Sequence, residues 1–193
     1  MIGNDIVDLK QASIESNWER KGFLNKIFTQ KEKEYILTSQ DSHKMVWRLW
    51  SMKESAYKIY TKEYQKRLFN PKSFQSEILN DSEGKVNIEN STYFTISNIG
   101  MNYIYTTSVS SVMKRITTRF FTTKINDHRA LSHKCYTNLK KTVASQTRIK
   151  QEALTVKKDN IGVPYLYFNN EFLDVPFSIT HHGNYGAFVI SES

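Results

Sequence analysis

The sequence predicts an α+β fold in two halves, because each half reads as a strand, a helix and then several strands. Two observations support this prediction. Long stretches without glycine or proline carry apolar residues at helical spacing, and short apolar or alternating segments lie between turn signals. The strands are predicted at residues 2–9, 85–88, 92–96, 103–109, 116–123, 164–168, 177–180 and 185–190.

The helices of the first half have clear local signals. Residues 21–28 carry four apolar side chains at helical spacing, which predicts a short helix. Thr29 and Glu32 form the capping-box sequence T-x-x-E, so a second helix begins after Thr29. Residues 42–60 contain no glycine or proline and predict one long helix.

The second half carries one predicted helix, at residues 128–144, with Asn126-Asp127 as its N-cap. Turn signals at Gly162 and at 169–170 bound the strand between them. Residues 181–184 predict a loop between the last two strands.

Composition narrows the class of protein. Of the 193 residues, 39% are hydrophobic, which is enough for a packed core. The single cysteine, Cys135, excludes an internal disulfide and a cysteine-based zinc cluster. With no signal-peptide pattern and no apolar run near the ~20 residues that span a bilayer, we expect a cytoplasmic protein without a membrane segment.

The formal net charge of +8 favours polyanionic partners such as acidic proteins or phosphorylated cofactors. Basic residues are spread along the whole chain. No arginine-rich arm, zinc-finger spacing or RNP-like motif is present, so the sequence does not favour nucleic acid as the partner.

Two motifs in the first half carry candidate chemistry. The segment GND at 3–5 puts the carboxylate of Asp5 in the opening strand, where it reads either as a ligand for a hard cation or as a turn-stabilising aspartate. On the long helix, Trp47, Glu54 and Lys58 share one face. That face reads either as the wall of a cleft or as an ordinary solvated glutamate–lysine pair.

Two further motifs lie in the second half. The adjacent His181 and His182 precede a glycine, and they read as phosphate contacts, as metal ligands or as incidental loop residues. Gly162-Val163-Pro164 is a turn before a strand, and Arg129 begins a basic helix. Each of these signals is weak by itself.

Taken together, the motifs resemble the 4'-phosphopantetheinyl transferase superfamily. Its members carry Gly-x-Asp, Phe-Ser/Thr-x-x-Glu and Trp-x-x-Lys-Glu-x-x-x-Lys, which correspond here to GND at 3–5, FTQKE at 28–32 and WSMKESAYK at 50–58. The second half resembles the Gly-Lys-Pro and Phe-x-Ile-Ser-His-Ser-Gly segments of surfactin-synthetase-type members. It departs from them where Val163 replaces a lysine and Thr180 replaces a serine. The motif order is that of the small holo-acyl-carrier-protein synthases.

The resemblance implies an enzyme that transfers the phosphopantetheine arm of coenzyme A (CoA) to a serine of an acidic acyl or peptidyl carrier protein. It implies that Asp5 and Glu54 hold Mg²⁺ and that Lys58 adds positive charge. Glu54, or a water bound to the metal, takes the serine proton. The implied CoA contacts are Arg129, Gly162, Pro164, Thr180 and His181, with His182 or a general-base role for His181 as alternatives.

The resemblance also implies the 4'-phosphopantetheinyl transferase fold, as a pseudo-dimer in one chain. Residues 1–115 would carry the metal and catalytic groups, residues 116–193 would carry the CoA contacts, and the protein would be a monomer. A non-catalytic homologue that binds acidic carrier domains is the alternative function.

Overall fold

The computed structural model describes residues 1–68, 70–111, 115–124 and 127–191. Its described part is an α+β fold whose strand pairs are antiparallel, so the predicted class is confirmed. Asn126, predicted as part of an N-cap, lies outside the described residues. Among those residues, no helix is long and apolar enough to cross a bilayer.

The first half builds one five-stranded sheet and four helices. The strands are β1 (Ile2–Asp8), β2 (Gln75–Ile78), β3 (Glu83–Ile88), β4 (Ser91–Ile99) and β5 (Tyr103–Val109), and the helices are α1 (Leu9–Glu15), α2 (Phe23–Ile27), α3 (Gln30–Thr38) and α4 (Ser42–Tyr64). The strand order is β1-β5-β4-β3-β2, so β1 lies at one edge.

Helix α4 packs its apolar face on this sheet, where Leu49, Met52 and Ile59 are fully buried. The helix crosses β1 closely. A Cβ atom on Gly3 would stand 2.1 Å from the backbone oxygen of Ser55, so only glycine leaves room for the helix there. The glycine of the GND motif is therefore a packing requirement.

The second half builds two three-stranded sheets around one helix. Its elements are β6 (Ile116–Thr122), α5 (His128–Thr147), β7 (Leu154–Lys158), β8 (Pro164–Phe168), β9 (Glu171–Leu173), β10 (Phe177–His182) and β11 (Tyr185–Ser191). The sheet orders are β10-β11-β6 and β7-β8-β9. These sheets differ from the five-stranded sheet of the first half, so the two halves share an element order but not one sheet architecture.

Three corrections to the predicted elements follow. Helix α1 replaces the turn expected after β1, and Asp8 caps it by accepting hydrogen bonds from the backbone N–H groups of Lys10 and Gln11. Strands β2, β7 and β9 were not predicted. His181 and His182 are the last residues of β10 rather than loop residues, because they pair with Gly186 and Tyr185 of β11.

The two halves meet along the free edge of β1. Strand β5 occupies its other edge, and the outward backbone N–H groups of β1 donate instead to side chains of β10. Asn4 donates to Ser178 Oγ at 3.2 Å, Ile6 to Thr180 Oγ1 at 3.2 Å, and Asp8 to His182 Nδ1 at 3.0 Å. We call this side-chain ladder the β1–β10 seam.

The predicted capping box of α3 is confirmed, and it extends into a buried ion pair with α4. Glu32, which is fully buried, accepts from the backbone N–H of Thr29 at 2.7 Å and from that of Ser76 at 2.6 Å. Lys53 Nζ lies 2.7 Å from Glu32 Oε1 and also donates to the carbonyls of Pro71 and Phe74. The charges of Glu32 and Lys53 are therefore paired with each other and supported by backbone groups.

We expect Glu32→Gln to lower the free energy of unfolding by about 3–5 kcal/mol, because it leaves the Lys53 ammonium buried without its counter-charge. Urea unfolding followed by circular dichroism measures this loss. Glu34→Gln, at an exposed position of the same helix, is the matched control. Equal losses in the two variants would contradict a structural role for the buried pair.

Candidate active site

A cleft runs along α4 where this helix faces β1 and β10. One cavity of about 320 Å³, which we call the carboxylate cavity, is lined by Asp5, Glu54, Trp47, Trp50 and His181 among others. A second cavity of about 340 Å³, the Gly162 cavity, is lined by residues that include Lys58, Gly162 and Pro164. Glu54 and Lys58 lie one helical turn apart, so the two cavities adjoin along the helix.

The cleft-wall interpretation of the α4 face is correct. Trp47 is buried and Trp50 is half-buried in the wall of the carboxylate cavity. The ammonium of Lys58 pairs with Asp5 Oδ1 at 3.6 Å. A glutamate–lysine pair on an ordinary solvated helix face would not lie beside one buried and one half-buried tryptophan.

Asp5 is 9% exposed and lies between the two halves. Thr180 Oγ1 donates to Asp5 Oδ1 at 3.3 Å. Burial raises the pKa of Asp5 above its ordinary value, and the positive charge of Lys58 opposes that shift. The protein around Asp5 therefore offsets only part of the cost of burying its negative charge.

Glu54 faces the same cavity. Burial, together with the negative charge of Asp5, raises the pKa of Glu54 to about 7, and Lys58 opposes the shift. A buried and a half-buried carboxylate, of which Asp5 disfavours the charge of Glu54, are a donor set that suits a hard divalent cation. Mg²⁺ is commonly bound by one or two carboxylates, with water and substrate phosphates completing the shell.

The described residues hold no group of three or more histidine, cysteine, aspartate or glutamate side chains arranged to bind a metal ion. Asp5 and Glu54 alone fit a cation that takes its remaining ligands from substrate and water. Asp8, which lies near in sequence, serves another purpose, because its carboxylate caps α1 and accepts the backbone N–H of Asn184 at 3.0 Å.

Lys58 connects the two halves at the site. Its ammonium donates to the carbonyl of Asn4 at 2.6 Å and to that of Ile179 at 3.4 Å. One atom therefore contacts β1, β10 and the Asp5 carboxylate together. This position puts a fixed positive charge beside the candidate metal ligands.

The two histidines of β10 have different surroundings. His182 Nδ1 accepts the Asp8 N–H, which assigns the hydrogen to Nε2, and that nitrogen lies 3.0 Å from Glu15 Oε2. His181 packs edge-on against His128 with ring centroids 4.4 Å apart. Burial, followed by the charge of His128, lowers the pKa of His181 to about 4, so at neutral pH it offers a neutral imidazole to the cleft.

The other predicted CoA residues are distributed over the second half. Thr180 is buried, and its hydroxyl is engaged by Ile6 and Asp5, so it positions Asp5. Gly162 and Pro164 line the Gly162 cavity. Arg129 lies exposed in the first turn of α5, and it is not among the residues lining the carboxylate or Gly162 cavities.

Sequence reasoning missed two basic residues of the cleft, Lys62 and Arg67, which line the Gly162 cavity. Lys62 follows Lys58 by four residues on the same helix, and this spacing was the available signal. Arg67 lies beyond the end of α4 and had no signal in the sequence.

Residues 1–108 match the model of the 4'-phosphopantetheinyl transferase superfamily. The match covers more than half of the 193 residues, so the chain belongs to this superfamily and the resemblance is confirmed. The matched segment contains Asp5, Glu54 and Lys58, and membership supports a transferase. No curated protein matches the chain.

We expect the contribution of Glu54 to the stability of the metal-free protein to disappear as the pH rises from 5 to 8. The lowered pKa of His181, about 4, contributes in the opposite direction as the pH rises toward its ordinary 6.5, so the Glu54 contribution is measured as a difference between variants. The folded pKa of Glu54, about 7, lies above its ordinary 4.5, so the folded state binds this proton more tightly. The stabilisation is complete below the ordinary pKa and disappears as the pH passes the folded pKa, with a loss on the order of 1–3 kcal/mol.

Urea unfolding in EDTA at several pH values measures this loss. The unfolding free energy of wild type minus that of Glu54→Gln isolates this contribution and should fall by on the order of 1–3 kcal/mol from pH 5 to 8, while the same difference for the exposed control Glu19→Gln should stay constant. A difference between wild type and Glu54→Gln that does not change between pH 5 and 8 would contradict the electrostatic description of the site.

Proposed function

We propose that this protein transfers the 4'-phosphopantetheine group from CoA to a serine of a carrier protein and releases adenosine 3',5'-bisphosphate. The observation that supports this most directly is the convergence of Asp5, Glu54 and Lys58 at the β1–β10 seam. These three residues lie in the segment matched to the superfamily.

Asp5 and Glu54 would hold the Mg²⁺ ion. When bound, this ion neutralises negative charge that develops on the diphosphate of CoA as the serine attacks. Lys58 contributes a second positive charge from a position fixed by the carbonyls of Asn4 and Ile179. Such preorganised charge stabilises the transition state without reorganisation during the reaction.

Glu54 is also the proposed general base, which takes the proton of the carrier serine. In the metal-free protein its pKa is about 7, and a bound cation would lower that value, which favours the carboxylate form that accepts a proton. The serine oxygen then forms the new bond to the β-phosphorus of CoA. The bond from this phosphorus to the bridging oxygen of the diphosphate breaks, and that oxygen leaves on adenosine 3',5'-bisphosphate.

The second half would hold CoA. His181 is proposed to donate a hydrogen bond to the 3'-phosphate, Gly162 and Pro164 to contact the adenosine end, and Arg129 to attract its phosphates. Thr180 supports the site through Asp5. The net charge of +8 favours encounter with an acidic carrier protein.

One chain would then supply a complete site, as a pseudo-dimer of residues 1–115 and 116–193 that works as a monomer. We expect light scattering to give the mass of one chain, 22.6 kDa, with specific activity constant on dilution. Activity that falls on dilution together with the loss of an oligomer would contradict this proposal.

The central test is mass spectrometry of an apo carrier protein after incubation with CoA, Mg²⁺ and this protein. We expect covalent gain of the phosphopantetheine mass, which a non-catalytic carrier-binding homologue would not produce. Glu54→Gln should keep a native circular dichroism spectrum and lose nearly all transfer. A fall in kcat of less than about tenfold, which is about 1.4 kcal/mol, would contradict the role of Glu54.

His181→Ala tests the proposed phosphate contact. A hydrogen bond to a charged group contributes about 1.5–3 kcal/mol, so kcat/KM for CoA should fall roughly ten- to a hundredfold. The variant should change little with 3'-dephospho-CoA, which lacks the phosphate. Equal losses with both substrates would favour His181 as the base, and a selective loss in His182→Ala would favour His182 as the contact.

A further inference from the structure

The Gly162 cavity carries positive charge that the proposed reaction leaves unassigned. Among the described residues, its lining includes Lys58, Lys62 and Arg67 and no acidic residue. Lys58 stands at the end next to the carboxylates, where it pairs with Asp5. The other two basic residues come from the last turn of α4 and the segment after it.

Arg67 is seated on the turn before β8. Its Nε donates to the carbonyl of Ile161 at 2.8 Å. Gly162 has φ +82°, and a Cβ atom there would stand 2.5 Å from Arg67 Nη2. The backbone conformation therefore favours glycine, and the guanidinium lies directly over it.

Most of the Arg67 guanidinium is unused by the protein. An arginine has five N–H donors, and within the described part of the chain Arg67 makes one hydrogen bond and no ion pair within 4 Å. The guanidinium geometry is suited to binding a phosphate through two N–H groups at once.

Lys62 adds a second charge to the same wall. It is half-buried, with its ammonium 5.1 Å from the ring centre of Tyr165 and 5.8 Å from that of Phe177. Over the described residues it also forms no ion pair within 4 Å. Burial lowers the pKa of Lys62, and the negative charge of Asp174 opposes that shift.

The rest of the cavity is largely apolar. Its walls suit a flat ring such as a purine. They are formed by Tyr57, Ile161, Phe177 and Ile179. The volume of about 340 Å³ falls within the range of small-molecule sites. An apolar slot with cations at its rim is an arrangement that fits a nucleotide.

We propose that Arg67 and Lys62 bind a phosphate group of CoA whose adenine lies in the Gly162 cavity. Arg67 then supplies, from a different segment, the charge that relatives carry between the glycine and the proline. Here that position is Val163, whose side chain is 8% exposed and apolar. This inference rests on the proposed function, because CoA is its ligand.

Isothermal titration calorimetry with CoA, without carrier protein, tests the assignment. Arg67→Gln removes the charge and keeps a donor for the Ile161 carbonyl, so the fold is preserved. We expect Kd for CoA to rise about ten- to a hundredfold in this variant. Arg67→Lys keeps the charge but loses the paired N–H donors, so its Kd should lie between those of wild type and Arg67→Gln.

Lys66→Gln is the matched control, since Lys66 is adjacent and exposed and pairs with Glu89 at 3.7 Å. It removes the same formal charge outside the cavity and should change Kd by less than about twofold. If Arg67→Gln weakens CoA no more than Lys66→Gln does, the inference is wrong.

The same titrations with 3'-dephospho-CoA identify the phosphate. A loss in Arg67→Gln that is confined to CoA assigns the 3'-phosphate, and a loss with both ligands assigns the diphosphate. Both results support the inference. Wild-type protein that binds neither ligand would overturn the proposed function as well, whereas normal wild-type binding with no effect of Arg67→Gln would overturn this inference alone.

Discussion

The arrangement of the molecule depends on how the edge of β1 is satisfied. A strand edge carries backbone N–H groups that are costly to bury without partners. In this fold three side chains of β10, Ser178, Thr180 and His182, accept those hydrogen bonds, so no further strand is added. The two sheets therefore meet along β1 without merging. Because side chains stand between the strands, the junction leaves room for a cleft beside α4.

The charged groups of the cleft are a consequence of this seam. Asp5 lies between two of the seam residues, Asn4 and Ile6, and Thr180 contacts both β1 and the Asp5 carboxylate. Lys58 reaches across from α4 to carbonyls on both strands. The carboxylate cavity thus combines groups from both halves, and without a cation burial and the charge of Asp5 raise the pKa of Glu54. Asp5 and Glu54 together are a donor set that suits a divalent cation.

The sequence predicted the elements whose signals are local. The capping box at Thr29 and Glu32, the uninterrupted helix α4 and the residues that share its face all follow from spacing of a few residues. The remaining features depend on distant pairing. His181 and His182 belong to a strand because β11 pairs with them, and Arg67 reaches the site because the turn at Gly162 passes beneath it. Helix α1 was not predicted, because it buries only Leu9 and Ala12 and its sequence therefore shows only a weak apolar pattern.

The claim that unites these features is that one composite site forms at the β1–β10 seam. A crystal structure of the protein with CoA and Mg²⁺ tests it most directly. We expect the metal on the carboxylates of Asp5 and Glu54, with the diphosphate beside Lys58 and the cofactor lying along α4 between the two halves. Metal bound elsewhere, or CoA held entirely by one half, would contradict this account.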